Sequence, residues 1–178
     1  LESGDIPLKG LILDLRNNPG GLLDQAVSIA DLFLETGEIV SIKGRQKRNT
    51  REFSAHRDQV DRSYPIVVLL NGGSASASEI VAGALQDNKR ALILGTTSFG
   101  KGSVQSVETL RDGNGLKLTI ARYYTPNGRS IQAQGIEPDI IVKRVYEKKD
   151  TKPPARRHSF KEKDLENHLD AQPPKKDS

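Results

Sequence analysis

The chain has 178 residues, contains no cysteine and carries a formal charge of +4 at pH 7. The absence of cysteine excludes disulfides, thiolate zinc sites and a cysteine nucleophile, and the three scattered histidines argue against a histidine-rich metal site. Residues 1–142 hold 16 basic and 16 acidic side chains, so the positive excess belongs entirely to residues 143–178. The charge therefore does not indicate a folded face that binds nucleic acid. No apolar run approaches the roughly 20 residues that a membrane-spanning helix needs.

Apolar patterning predicts an α/β chain over residues 8–143. The predicted strands cover 8–15, 38–43, 66–70, 91–94, 107–110, 116–124 and 139–143, and the predicted helices run from about 22 to 34 and from about 77 to 88. The two strands around residues 111–115 form a hairpin, which makes the sheet mixed rather than wholly parallel, with flanking helices. Residues 44–65 are polar, charged and aperiodic, and we expect them to run over the surface or over a cleft.

The composition divides the chain into a folded core, residues 1–145, and a charged, proline-containing tail, residues 146–178. The tail is almost devoid of apolar residues, which predicts that it is mostly disordered. Phe160, Leu165 and Leu169 are the exceptions and could form one short amphipathic helix over residues 159–169.

The segment from Gly95 to Lys101 follows a strand and fits the phosphate-binding pattern G-x-x-x-x-G-K. However, Gly102 stands where a serine or threonine should reach the metal. The residues from Ser103 onward also lack helical periodicity, although a phosphate-binding loop needs a helix N-terminus at this point. A nucleotide-binding loop is therefore the least favoured hypothesis.

A run of small residues, Gly73 to Glu79, lies between a predicted strand and a predicted helix. This arrangement is typical of a nucleophile elbow, in which a hydroxyl is exposed and helix amides can hold an oxyanion. The strict G-x-S-x-G pattern is absent, and the alternative is that the serines only cap the helix. Capping explains Ser78 well, but it explains three serines alternating with alanine less well.

A serine nucleophile needs a base, and none of the histidines has a structural frame around it. Lysine can replace histidine if its amine is neutral, a state that burial favours. Lys101 is the lysine set among glycines between apolar segments. The alternative is that Lys101 is an ordinary loop lysine.

Four stretches closely resemble the C-terminal processing peptidases, also called tail-specific proteases: Ser74–Ile80 (SASASEI), Gln86-Asp87, Phe99–Gln105 (FGKGSVQ) and Leu13–Gly21 (LDLRNNPGG). They occur in the family's order, and the resemblance covers about residues 8–143. It implies a serine endopeptidase, a hydrolase that cleaves proteins near their C-termini, on a core similar to the crotonase and ClpP folds.

The resemblance also implies the catalytic residues. Ser76 is the nucleophile, Lys101 is its base, and Gln105 positions the lysine. Residues four apart lie about 13 Å apart along a strand but side by side on a helical turn. We therefore expect a helical turn or a tight bend from Lys101 to Gln105.

The oxyanion hole implied by the resemblance combines the amide of Ala77 with that of Gly20 or Gly21. Asp87 matches a family position that matters for activity, and we interpret it as supporting the end of its helix. The resemblance implies no cofactor and no metal, and the expected partner is a protein or peptide substrate with an accessible C-terminus.

Family members usually carry a PDZ domain before this region, for which the chain has no room, and segments that help to roof the cleft are also missing. We therefore expect a catalytic-core fragment that begins at Leu1, and its lack of a signal peptide says nothing about the parent protein. By resemblance, the expected location is the periplasm or cell envelope. The alternative function is a catalytically inactive interaction scaffold with the same fold.

Overall fold

The elements of the computed structural model follow one another in an α/β order. The structure describes residues 8–45, 50–58, 60, 62–143 and 160–171. The strands are β1 (Leu11–Asp14), β2 (Glu38–Gly44), β3 (Arg51–Ser54), β4 (Ile66–Leu70), β5 (Ala91–Gly95), β6 (Ser103–Thr109), β7 (Gly115–Tyr124) and β8 (Ile140–Ile141). The α-helices are α1 (Leu23–Asp31) and α2 (Ala77–Asp87), and a 3-10 helix covers Glu162–Asp164.

The strands form two four-stranded sheets. The first sheet is parallel, with the order β1-β4-β5-β8, and the second is antiparallel, with the order β3-β2-β7-β6. The crossover through α2 makes β4 and β5 parallel, whereas the β6–β7 hairpin pairs with β2 instead of joining the parallel strands. The α/β class is confirmed, and the predicted mixture of strand directions is distributed over two sheets.

Helix α2 is the centre of the core. All its residues from Ala77 to Leu85 are buried, and the helix contacts both β5 of the parallel sheet and β2 of the antiparallel sheet. Leu85 is fully buried, as are Val68 on β4, Ile93 on β5 and Ile39 on β2. Each such side chain contributes about 1.5–3 kcal/mol through its burial. The packing of the whole helix therefore fixes the N-terminus of α2, in addition to the loop that precedes it.

Two strand predictions need correction. The stretch 44–65 contains β3, which pairs antiparallel with β2 and partly buries Phe53 against the core. A four-residue strand with one inward apolar side chain is too short for a periodicity signal. Strand β1, predicted to be buried, alternates instead, and Ile12 is 69% exposed on its outer face.

The short helix predicted over residues 159–169 is replaced by the 3-10 helix Glu162–Asp164. Phe160, Leu165 and Leu169 remain 63%, 42% and 37% exposed, so they do not form one buried apolar face. Residue 159 lies outside the described residues, as do residues 144–158 and 172–178, on which the rest of the disorder prediction falls.

Candidate active site

Ser76 lies at the junction of β4 and α2, directly before the first residue of the helix. Its backbone has φ 55° and ψ −115°, a conformation that L-residues rarely adopt. Strained backbone of this kind costs about 1–3 kcal/mol and clusters at functional sites, where the surrounding structure enforces it. The buried helix and the strand on either side of Ser76 provide that enforcement.

The two serines that flank Ser76 have structural partners. Ser74 is fully buried, and its hydroxyl donates to the carbonyl oxygen of Leu15 at 2.8 Å. The Ser78 hydroxyl donates to the carbonyl oxygen of Asn18 at 3.0 Å. Both bonds join the start of α2 to the loop that follows β1. The hydroxyls of Ser74 and Ser78 therefore have structural roles, and Ser76 is itself the N-cap residue of α2, in a capping box with Glu79.

Gly20 packs directly against the Ser76 backbone. A Cβ atom on Gly20 would lie 2.7 Å from the carbonyl oxygen of Ala75, 2.8 Å from the amide nitrogen of Ala77 and 2.9 Å from the Cβ of Ser76. Gly20 also has φ +106°, whereas the corresponding position on Gly21 is open. The loop after β1 therefore reaches the candidate nucleophile through Gly20, and no larger residue fits there.

The backbone amides around Ser76 differ in whether they already donate a hydrogen bond. The amide of Gly20 donates to Oδ1 of Asn18 at 3.0 Å. Within the described residues, the amides of Ala77 and Gly21 have no acceptor. Two unused donors therefore lie within two residues of the Ser76–Gly20 contact.

The loop after β5 brings Lys101 to the same place. Phe99 donates its amide to the carbonyl oxygen of Ser74 at 2.9 Å, which ties the loop to the segment before the nucleophile. The amides of Ser76 and Lys101 donate to the same oxygen, Oε2 of Glu79, at 2.8 Å and 2.9 Å. The two amide nitrogens are therefore at most about 6 Å apart, since both make hydrogen bonds of ordinary length to one atom.

Glu79 is the residue that sequence reasoning missed. It is fully buried, and its Oε1 accepts the Ser98 hydroxyl at 2.6 Å and the Gly100 amide at 2.7 Å. Together with the two amides on Oε2, four donors converge on one carboxylate. Burial raises the pKa of Glu79, and the hydrogen bonds from Ser98 and the three amides oppose that rise. The spacing Ser76-x-x-Glu79 of a capping box could have revealed the residue.

Comparison with known proteins identifies the family of this arrangement. The sequence profile of peptidase family S41 matches residues 4–142. The chain belongs to peptidase family S41. The resemblance to the C-terminal processing peptidases is thereby confirmed.

Two relatives and one solved structure illustrate the extent of the match. The chain is 58% identical over 142 residues to the carboxy-terminal-processing protease of Bartonella bacilliformis, covering 80% of this chain and 33% of that protein. It is 47% identical over 132 residues to the chloroplastic C-terminal processing peptidase of Tetradesmus obliquus, covering 74% of this chain and 28% of that protein. The photosystem II D1 C-terminal processing protease superposes with a TM-score of 0.71 at 44% identity, covering 76% of this chain and 35% of the other. The chain thus spans about a third of the length of these relatives.

The side chains of Ser76 and Lys101 are not hydrogen-bonded to each other in this S41 chain. Among the described residues, no hydrogen bond joins Nζ of Lys101 to Oγ of Ser76. Both residues are half-buried. Catalytic hydrogen bonds are often loose without substrate and tighten in the complex. The structure therefore brings the two backbones together and leaves the final side-chain contact unmade.

Gln105 does not have the predicted local structure. It lies on β6, not on a helical turn, and its side chain is exposed. The ladder between β6 and β7 shifts register between Val104 and Gln105, where β7 has one additional residue. Within the described chain, no hydrogen bond joins Gln105 to Lys101. The prediction of a turn is wrong because residues 103–109 pair antiparallel with β7. The role of Gln105 stays a prediction.

The position of strand β6 also argues against the nucleotide-binding hypothesis. It begins at Ser103, two residues after Lys101, so no helix N-terminus follows the G-x-x-x-x-G-K segment. The groups that would cradle a phosphate are therefore missing from this loop.

Asp87 lies at the end of α2, and only 2% of its side chain is exposed. Its carboxylate accepts the amide of Asn127 at 2.9 Å and pairs with Arg129. It thus joins the helix end to the turn after β7, which agrees with a supporting role and not with direct contact to Ser76.

Within the part of the chain that the structure describes, no group of three or more histidine or carboxylate side chains could hold a metal ion. No helix in those ranges is both long and apolar enough to cross a membrane.

Proposed function

We propose that this chain is the catalytic core of a Ser/Lys endopeptidase in which Ser76 is the nucleophile and Lys101 is the general base. The observation that carries the proposal is the shared hydrogen bond to Glu79 Oε2, which places the strained serine and the lysine loop side by side. The free amide of Ala77 and the packed glycine loop behind it support an oxyanion hole at the same point.

The reaction begins when the neutral amine of Lys101 accepts the Ser76 hydroxyl proton and Oγ attacks the scissile carbonyl carbon. The resulting oxyanion is stabilised by the Ala77 amide and an amide of the Gly20–Gly21 loop. Of these two glycines, Gly21 has the unused amide, whereas the amide of Gly20 already donates to Asn18. Lys101 then gives the proton to the leaving amine as the C–N bond breaks. A water molecule hydrolyses the acyl-enzyme, delivering its proton through Lys101 back to Ser76.

Gln105 completes the proposed machinery as the residue that orients Lys101. This role requires its side chain to turn towards Nζ when substrate binds. The register shift at Val104–Gln105 supports the idea, because such irregularities re-aim side chains locally.

The substrate class rests on the relatives. Their names describe proteases that process C-termini, and we propose the same class, proteins with accessible C-termini, for this chain. We also propose a periplasmic or cell-envelope location, which rests on family resemblance alone.

A catalytically inactive scaffold is the second candidate, and the missing Nζ–Oγ hydrogen bond favours it. Digestion of an unfolded protein by the full-length parent protein distinguishes the two functions. Ser76→Ala and Lys101→Ala should each reduce cleavage by at least about 10⁴-fold, because nucleophile and base act as a unit. The controls Ser28→Ala and Lys117→Ala, at exposed positions on α1 and β7, should retain wild-type rates. Wild-type cleavage by Ser76→Ala would refute the peptidase assignment.

A further inference from the structure

The end of the described chain, residues 160–171, lies against the loop that carries Lys101. We refer to these residues as the docked segment. The amide of Glu162 donates to the carbonyl oxygen of Phe99 at 3.1 Å. Phe99 is two residues before Lys101, so the docked segment contacts the candidate site directly through its backbone.

Gln132 provides the second attachment. It is fully buried, and its Nε2 donates to Oε1 of Glu162 at 3.2 Å and to the carbonyl oxygen of Leu169 at 3.1 Å. Its Oε1 accepts the amide of Gly102 at 3.1 Å. A single buried amide group therefore connects the docked segment to the residue that follows Lys101.

Gly102 and Gln132 are packed too closely for either to move alone. A Cβ atom on Gly102 would lie 2.3 Å from the amide nitrogen of Gln132 and 2.9 Å from its Cα. The neighbouring Ala133 also donates its amide to the carbonyl oxygen of Gly100 at 2.8 Å. The polar groups that hold the docked segment are therefore fixed with respect to Lys101.

Lys161, the residue before Glu162 in the docked segment, is partly buried. Burial lowers the pKa of Lys161, with a further lowering from Lys163, whereas the negative charges of Asp164 and Glu79 oppose it. Glu79 is the carboxylate that binds the amides of Ser76 and Lys101. The negative charge of Glu79, at the centre of the candidate site, therefore acts on the amine of Lys161.

The docked segment is held with little apolar burial. Its three large apolar side chains, Phe160, Leu165 and Leu169, are 63%, 42% and 37% exposed. Elements with few buried apolar contacts belong to the low-stability end of a structure and open readily. When the segment leaves, an acceptor (Phe99 O) and a donor (Gln132 Nε2) become available beside Lys101.

We propose that Phe99 O and Gln132 Nε2 form a binding subsite for the main chain of a polypeptide substrate, and that residues 160–171 occupy this subsite in cis. The bonds to the Glu162 amide and the Leu169 carbonyl use main-chain groups that every polypeptide carries, so the subsite selects no particular side chain. The docked segment therefore competes with substrate. The apparent affinity for substrate equals the affinity of the open subsite multiplied by the fraction of molecules in which the subsite is open. This inference rests on the proposed peptidase function.

Substitutions at Glu162 test the inference without preventing folding of the core. Proline fits at residue 162, because this is the first residue of the 3-10 helix and Lys161 before it is extended, with φ −113° and ψ 163°. Glu162→Pro removes both the amide that binds Phe99 and the carboxylate that binds Gln132. Glu162→Ala removes only the carboxylate. Glu166→Ala removes an exposed carboxylate of the same segment and is the matched control.

The assay is fluorescence anisotropy with a fluorescein-labelled, unstructured 12-residue peptide that has a free C-terminus. All variants are made in a Ser76→Ala background of the full chain, so that binding is measured without cleavage. We expect Glu162→Pro to bind about tenfold more tightly, Glu162→Ala to bind severalfold more tightly, and Glu166→Ala to match the background, since each lost hydrogen bond contributes modestly. A synthetic peptide of residues 160–171 should displace the probe from Glu162→Pro.

Unchanged or weaker peptide binding by Glu162→Pro would overturn the inference. The docked segment would then stabilise the neighbouring loop and would not compete with the peptide. Failure of the synthetic peptide to displace the probe would overturn it as well. These outcomes are separate from the peptidase proposal, which fails if the wild-type parent protein does not cleave or if Ser76→Ala or Lys101→Ala retains cleavage.

Discussion

Replacing Glu79 by glutamine tests the claim that one buried carboxylate organises the site. The substitution keeps the shape of the side chain but turns one acceptor oxygen into an NH₂ donor. If the amide nitrogen takes the place of Oε2, the amides of Ser76 and Lys101 lose their acceptor. If it takes the place of Oε1, the Gly100 amide loses its acceptor, whereas the Ser98 hydroxyl can turn to accept from the NH₂ group. In either orientation, at least one amide donor of the site faces another donor.

The cost follows from these contacts. A buried donor left without a partner costs about 1–3 kcal/mol, and glutamine can adopt the orientation that leaves only the Gly100 amide without an acceptor. Glutamine also relieves the burial of a charge, which is the cause of the raised pKa of Glu79. We therefore expect the free energy of unfolding to fall by about 1–3 kcal/mol at neutral pH.

Urea denaturation monitored by circular dichroism measures this loss. With an m-value of about 2 kcal/mol/M, the midpoint should fall by about 0.5–1.5 M. Glu52→Gln, at an exposed position on β3, makes the same chemical change and should shift the free energy by less than about 0.5 kcal/mol. A midpoint for Glu79→Gln equal to that of Glu52→Gln would refute the reasoning.

Two further predictions follow from the same site. Gly20→Ala should lower the free energy of unfolding by about 1–3 kcal/mol or more, because φ is +106° and the added Cβ would clash with Ala75 and Ala77, whereas Gly21→Ala should have little effect; thermal denaturation compares them, and equal melting temperatures would contradict the close packing. Burial raises the folded-state pKa of Glu79 above its ordinary value of 4.5, so the folded state retains this proton to higher pH than the unfolded state. The stability of wild type relative to Glu79→Gln should therefore be greatest below pH 4.5 and decline as the pH rises through the folded-state pKa. Urea midpoints of both proteins across pH measure the decline, and a difference that grows with pH would contradict it.

The elements that sequence reasoning located correctly have strong local signals. Helix α2 has apolar residues at helical spacing over 11 residues, and the β6–β7 hairpin is marked by the turn at residues 111–115. The partition into two sheets was not predictable, because the pairing of β7 with β2 joins residues far apart in sequence. Such pairing depends on tertiary packing and not on local propensity.

The candidate site was predictable where the chain itself brings residues together. The run Gly73 to Glu79 was located from a strand, small residues and a helix in sequence. The choice of Ser76 within that run came from the family motif, and Lys101 came from its glycine neighbours and the same motif. The convergence on Glu79 was not predicted, since its partners at Ser98, Gly100 and Lys101 come from another loop. Gln105 shows the opposite error: a contact implied by the family resemblance was assigned to a helical turn or tight bend, which the pairing of this segment with β7 prevents.

The distribution of charge bears on what the docked segment competes with. The excess of +4 belongs to residues 143–178, but residues 160–171 contain only two basic side chains against four acidic ones. The described part of the tail, which contacts the core, is therefore acidic, so attraction between a basic segment and the core does not explain the docking of residues 160–171. The contacts themselves are hydrogen bonds from the Glu162 amide and from Gln132 Nε2. A subsite built from such groups recognises the shape and polarity of a main chain, which is the feature that unrelated protein substrates share.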